Sequence, residues 1–171
     1  IDLYNGLNVH GFWNVKGSKM SKSIGNVTDP VQVTGEYGTD AFRYFLMREM
    51  VFGLDANFTE ETIVTRINSD LANDLGNLFS RVLSMHQRYF KGQMPKAASE
   101  LDGQEDLSLE SAAAEAIKDF SEAMAVCEFH KGLTAVWKFI SVMNKYIDRN
   151  EPWSLAKDEA KMPVLEAVMV N

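Results

Sequence analysis

A chain of 171 residues that is 46% hydrophobic and 24% charged can bury a sizeable core, and its length fits one ordinary domain or a small domain joined to another element. The formal net charge is −7, but residues 1–91 hold nine Lys/Arg against ten Asp/Glu, so −6 falls beyond them and a nonspecific basic nucleic-acid binder is excluded. The apolar runs fall far short of the roughly 18 residues of a membrane span, and the single Cys127 excludes an internal disulfide or a multi-cysteine zinc site.

Taken in chain order, "VHGFWNVKG" at residues 9–17 places aromatic and β-branched residues before a glycine turn, which predicts a short hairpin arm. The loop "VKGSKMSKSIGN" leaves that arm with three lysines and three serines and no acidic residue. In "TDPVQV", Thr28 or Asp29 is a cap and Pro30 suits the first helical position, so a short helix follows. "GTDAFRYFLMREM" repeats the device with Thr39 or Asp40, and Phe42, Phe45 and Leu46 form its apolar stripe. "VFGLDANFT" reads as a connector, with a boundary near residue 57.

From Thr59 the spacing turns helical. Ile63, Ile67, Leu71, Leu75, Leu78, Val82, Met85 and Tyr89 recur at steps of three or four, one face of a long helix bent near Asp74. "KGQMPKAASELDGQEDLS" reads as the longest loop. Helices are expected at about Leu109–Val126 and Phe129–Asp148, the second with Leu133, Trp137, Ile140 and Ile147 on one face. "NEPWSLAK" starts another, with Asn150 near the cap and Pro152 in the first turn, and Pro163 opens a last one. Short connections between such helices imply a mainly α fold: an antiparallel helical bundle preceded by a small hairpin-plus-helix segment. Cys127 is expected as a small core residue, Trp137 as core and Trp13 as hairpin packing. The start at Ile1 and the open helix at "MPVLEAVMVN" set the expectation of a fragment of a longer protein. No basic start precedes an apolar stretch, so the chain reads as cytoplasmic.

Lysines among small residues suit a phosphate chain, because ammonium groups neutralise charge while serine hydroxyls and glycine-flanked amides donate at close approach. A P-loop is ruled out, since Lys22-Ser23 lacks the preceding glycines of that motif. An arbitrary loop of this composition is more often a solvated hairpin exit. The string "KMSKS" at residues 19–23, however, within "HGFWNVKGSKMSKSIGN", resembles the signature loop of class I aminoacyl-tRNA synthetases. "GTDAFRYFLMRE", "NSDLANDLGNLFSR" and "DRNEPWSLAK" follow, and in this order they resemble the methionyl-tRNA synthetases along essentially the whole chain.

What the resemblance implies is specific. Lys19, Met20, Ser21, Lys22 and Ser23 form an ATP-binding loop for methionine activation, with Lys19 and Lys22 as catalytic cations and Lys22 the stronger candidate. ATP is a substrate, with Mg2+ in the intact enzyme, and no metal site is expected within these residues. Residues 1–57 become the end of the catalytic region, and residues 58–171 an α-helical anticodon-binding domain. The family's His-Ile-Gly-His-type segment is absent, since His10, His86 and His130 lie in unrelated contexts, so the segment is expected to be inactive alone.

Helical spacing leaves Asn77, Arg81, Ser84 and Arg88 on one flank of the apolar face, a polar stripe that ordinarily just meets water. Asn and Arg one turn apart also suit the bases of a single-stranded loop. In the family an Asn and an Arg of the "GNLxxR" segment contact anticodon bases, which points to Asn77 and Arg81 and to tRNA(Met) as partner. Trp153 reads either as a helix-start staple or as a plate for an unpaired base, and the resemblance favours the plate. Kindred synthetases for valine, isoleucine, leucine or cysteine remain open as alternatives, as does a helical protein-interaction module.

Overall fold

The computed structural model describes residues 6–95 and 109–171. The expected loop therefore lies largely outside the described residues. The chain divides into two compact units, Ile1–Asn68 with Asp119–Thr134, and Ser69–Lys118 with Ala135–Asn171.

In the first unit β1 (Trp13–Val15) and β2 (Ser18–Lys19) form the expected hairpin, with Asn14 opposite Lys19 and Val15 opposite Ser18. Its two-residue turn places Lys16 and Gly17 at φ +50° and +75°, the left-handed pair that matches strand twist. The expected connector contains a strand, β3 (Ala56–Asn57), which pairs parallel to β1 with Trp13 opposite Ala56. Short-range spacing could not show it: the strand has two residues, and its partner lies some forty positions back. Phe12 N–H donates to Asp55 Oδ1 at 2.7 Å and Ala56 N–H to the Phe12 carbonyl at 2.9 Å. Gly11 permits this approach, because a Cβ there would lie 1.9 Å from the Leu54 carbonyl oxygen.

Helix α1 (Pro30–Tyr37) starts as expected, with Asp29 accepting from Val31 N–H and Pro30 at its head. Helix α2 (Thr39–Glu49) does not repeat the device: its cap is Gly38 at φ +87°, and no side chain caps it. Gly38 also ends α1, so one residue serves both helices, and only glycine adopts that conformation without strain. Phe45, wholly buried, packs against Trp13 and Phe58 at ring separations of 5.7 and 5.5 Å, and these rings with Val33 and Ile63 make the core. Trp13 is thus hairpin packing. The Tyr37 hydroxyl donates to Glu60 at 3.0 Å; desolvation first, then the Glu60 and Glu36 carboxylates, push its pKa up to about 12.

Helix α3 (Glu60–Arg66) opens on a reciprocal cap, with Thr62 N–H donating to Thr59 Oγ1 and Thr59 N–H to Thr62 Oγ1. The bend expected near Asp74 is a ten-residue π-helical segment, Ile67–Gly76, followed by α4 (Asn77–Phe90). This winding changes which residues face inward. Asp70 is buried, while Leu75, which a 3.6-residue period places on the apolar face, is 41% exposed.

Helices α5 (Glu110–Ala125) and α6 (Phe129–Asn150) fall within two residues of expectation. Between them Cys127 is half-buried at φ +61°, a helix-terminating turn residue rather than a core one. In the second unit α6 runs alongside the stretch from Asp70 to Arg81 in the same direction: Trp137 Nε1 donates to the Asp70 carbonyl, Asn144 Nδ2 to the Asp74 carbonyl, and Arg81 pairs with Asp148. Lys138 reaches back to Glu115 on α5. Helices α7 (Pro152–Leu155) and α8 (Met162–Val170) complete a core of Leu78, Met85, Ile140, Tyr146, Ile147, Leu165, Val168 and Met169, with Trp137 packed on it. Among the described residues no helix is long and apolar enough to cross a membrane.

Candidate functional site

The lysine loop starts inside the hairpin. Lys19 belongs to β2, and its Nζ lies 4.8 Å from the centroid of the Phe12 ring. Met20 turns inward against the aromatic core of its unit and ties the loop's root down. Beyond it the chain winds into a single turn: the N–H groups of Ile24 and Gly25 donate to the Ser21 carbonyl at 3.2 and 3.1 Å. Gly25 closes the turn at φ +73°.

Asn26 braces this turn from across it. Its Oδ1 accepts from Ser21 N–H at 2.8 Å, and its Nδ2 donates to the Lys19 carbonyl at 3.2 Å. Ser21 and Ser23 share a hydroxyl contact of 2.7 Å. Lys22, at the crest, is exposed, as are Lys19 and Ser23. The loop thus presents ammonium and hydroxyl groups from a turn whose root is fixed. Neither lysine has an acidic partner among the described residues, so both charges are available to an anion. Asn26 ends the motif string, and its spacing five residues beyond Ser21 carries no signal outside the folded turn.

In the second unit the polar stripe on α4 faces a groove. Ser80, Arg81, Ser84, Met85, Arg88, Tyr89 and Trp153 line an open cavity of about 410 Å³. Trp153 reaches it because α6 ends on Glu151 in the left-handed conformation, with φ +43°. Pro152 at the start of α7 is fully buried, so the proline packs and Trp153, 41% exposed, projects outward. The indole is therefore not buried as a helix-start staple would be.

Arg81 is oriented from α6. One terminal nitrogen donates to Asp148, and the other lies 3.5 Å from Asn144 Oδ1. Asn77 is exposed on the first turn of α4 and does not line the groove. The structure therefore brings Arg81 and Trp153 together with Ser84 and Arg88, and leaves Asn77 one turn away. Asp148 and Asn144 escape sequence reasoning because 67 and 63 residues separate them from Arg81. Among the described residues no group of three or more His, Cys, Asp and Glu side chains is placed to hold a metal ion.

Residues 1–83 match a family model described as "tRNA synthetases class I (M)". The methionine–tRNA ligase of Fusobacterium nucleatum is 46% identical over 169 residues, which cover 99% of this chain and 26% of that protein. That of Caldanaerobacter subterraneus subsp. tengcongensis is 48% identical over 162 residues, covering 95% of this chain and 25% of the relative. Among solved structures, Mycobacterium tuberculosis methionyl-tRNA synthetase in complex with methionyl-adenylate superposes with a TM-score of 0.84 at 38% identity, covering 94% of this chain and 31% of the other. The apo form of that protein gives 0.79 at 34% identity. Along nearly its whole length this chain is similar to methionyl-tRNA synthetases, and it spans about a quarter of the length of the curated relatives it matches.

Proposed function

We propose that this segment serves a methionine–tRNA ligase in two ways: its lysine loop stabilises the ATP phosphates during methionine activation, and its groove reads the anticodon loop of tRNA(Met). The identities with methionine–tRNA ligases favour methionine over valine, isoleucine, leucine or cysteine. On this reading residues 1–57 close the catalytic region and residues 58–171 form the anticodon-binding domain. The setting is the cytoplasm, where tRNA is charged.

In activation the methionine carboxylate attacks the α-phosphate of ATP, a P–O bond forms, and the bond to the leaving pyrophosphate breaks. Charge accumulates on the phosphate oxygens as it breaks, so a cation that engages only then lowers the barrier without tightening substrate binding. Lys22 fits that role, exposed on a turn with no acidic partner. Lys19, held over Phe12, is placed to act from the root, and the Ser21 and Ser23 hydroxyls add donors. Mg2+ would arrive with the nucleotide, since lysine ammoniums do not ligate a cation. The rest of the catalytic machinery lies outside this segment.

The observation that carries the reading is the convergence of Arg81 and Trp153 on one groove from two helices. A tryptophan face accepts any unpaired base, and an oriented guanidinium selects among base edges. The test is binding of the full-length protein to a stem-loop carrying the CAU anticodon, against the same hairpin with one anticodon base changed. A preference of about tenfold, or roughly 1.4 kcal/mol, that disappears in Trp153→Ala is expected. Equal affinity for the two hairpins would overturn the reading. For the loop, Lys22→Ala is expected to slow methionine-dependent pyrophosphate exchange by about 10²-fold, and an unchanged rate would refute its role.

A further inference from the structure

The two arginines of the groove are in different electrostatic states. Arg81 is paired with Asp148 and contacts Asn144, so its charge is largely answered and its remaining donors are directional. Arg88, seven positions on and exposed, has no acidic partner among the described residues; its guanidinium carbon lies 5.8 Å from the Tyr89 ring. Seven residues of α-helix correspond to a rise of about 10.5 Å. The two side chains therefore address separate points along a strand rather than one phosphate. The remaining groove residues are Ser80, Ser84, Met85, Tyr89 and Trp153, all neutral. In a chain of net charge −7, an uncompensated cation beside an exposed indole is where a polyanion gains attraction.

We infer that Arg88 contacts a backbone phosphate of the RNA strand in this groove, supplying a sequence-independent part of the binding while Arg81 and Trp153 supply the selective part. This assignment rests on the anticodon reading above and adds the ligand chemistry of one residue to it. A phosphate contact carries no base information; it fixes register and strand direction. Ser84, one turn before Arg88 on the same face, is placed to donate to the same phosphate.

The test titrates the full-length protein, as wild type, Arg88→Gln and Arg88→Lys, with the CAU stem-loop and its single-base variant from about 50 to about 200 mM salt, the range over which phosphate contacts are most visible. Losing one single-strand phosphate contact lowers the slope of log affinity against log salt by about 0.7, equivalent to about a fivefold weaker affinity at 0.1 M salt. The expected result is that Arg88→Gln weakens both hairpins by this same factor, keeps the ratio between them, and flattens the salt dependence. Arg88→Lys, which keeps a point charge, retains the slope. An unaltered slope in Arg88→Gln, with or without a lowered melting temperature, would show that the arginine only complements the C-terminal end of α4. A changed ratio between hairpins with the slope intact would make it a base contact and overturn the assignment. If the wild type binds both hairpins equally while Arg88→Gln still flattens the slope, the anticodon reading fails and the phosphate contact stands.

Discussion

Replacing Asn26 with alanine removes two hydrogen bonds at once, from Ser21 N–H at 2.8 Å and to the Lys19 carbonyl at 3.2 Å. These are the bonds that join the two ends of the turn, whose remaining bonds are the short-range ones from Ile24 and Gly25 to Ser21 and Lys22 and the Ser21–Ser23 hydroxyl contact. A neutral hydrogen bond contributes about 1 kcal/mol net, so the turn should lose about 1 to 2 kcal/mol of local stability. That corresponds to about 5- to 30-fold faster opening-limited exchange of its amides. Hydrogen exchange read on peptides covering residues 18–27 of the full-length protein measures this directly. The amides of Ala56 and Phe58, bonded into the sheet beside β1, are the internal control and should not change. Lys22 keeps its charge in this variant, so pyrophosphate exchange should fall by less than in Lys22→Ala. Unchanged protection in the loop would refute the bracing argument, and equal loss in loop and sheet would show that Asn26 supports the whole unit instead.

Three further outcomes follow from packing and titration. Gly11→Ala forces a Cβ to within 1.9 Å of the Leu54 oxygen, so β3 must withdraw; losing the Phe12 to Asp55 and Ala56 to Phe12 bonds should cost about 2 to 4 kcal/mol in urea unfolding. Phe45→Ala empties a fully buried ring site between Trp13 and Phe58 and should cost about 3 to 5 kcal/mol, and a loss below about 1 kcal/mol would contradict that core assignment. Tyr37 has a raised pKa in the fold, so its hydrogen bond to Glu60 contributes fully below pH 10 and is lost as pH rises towards 12. Wild-type stability should therefore fall relative to Tyr37→Phe across that window, as read by unfolding midpoints at each pH.

Elements with strong local signals were legible. Asp29-Pro30 states a cap and a first turn in two residues, and α5 and α6 carry helical spacing between clear breakers. The features that escaped depend on distant partners or on backbone winding. Strand β3 exists because Asp55 and Ala56 meet Phe12, some forty residues away in sequence. The π segment from Ile67 to Gly76 defeats any fixed period, which is why Asp70 is buried and Leu75, expected on the apolar face, is exposed. Gly38 replaced the expected Thr39 or Asp40 cap because a glycine at positive φ ends one helix and begins the next without a linker. In the groove, Trp153 was ambiguous in sequence because its neighbour Pro152 had an equal claim to the buried position. Only the left-handed Glu151 decides which of the two turns inward.

For the proposed anticodon reader, the acidic balance of the chain limits how the groove would bind RNA. A protein that holds a polyanion mainly by charge needs many uncompensated cations, and its affinity then falls steeply with salt, by a slope near ten where about ten phosphates are neutralised. Here the groove offers Arg88 as its uncompensated cation, while the Arg81 charge is answered by Asp148. The salt slope contributed by this groove should therefore be shallow, on the order of one. On the proposed reading, what remains comes from stacking on Trp153, worth about 1 to 3 kcal/mol for one base, and from hydrogen bonds between Arg81 and a matching base edge. Such terms differ between the right loop and a wrong one, whereas charge attraction does not. On that reading the net negative charge of the chain weakens every RNA alike and leaves the difference between RNAs intact.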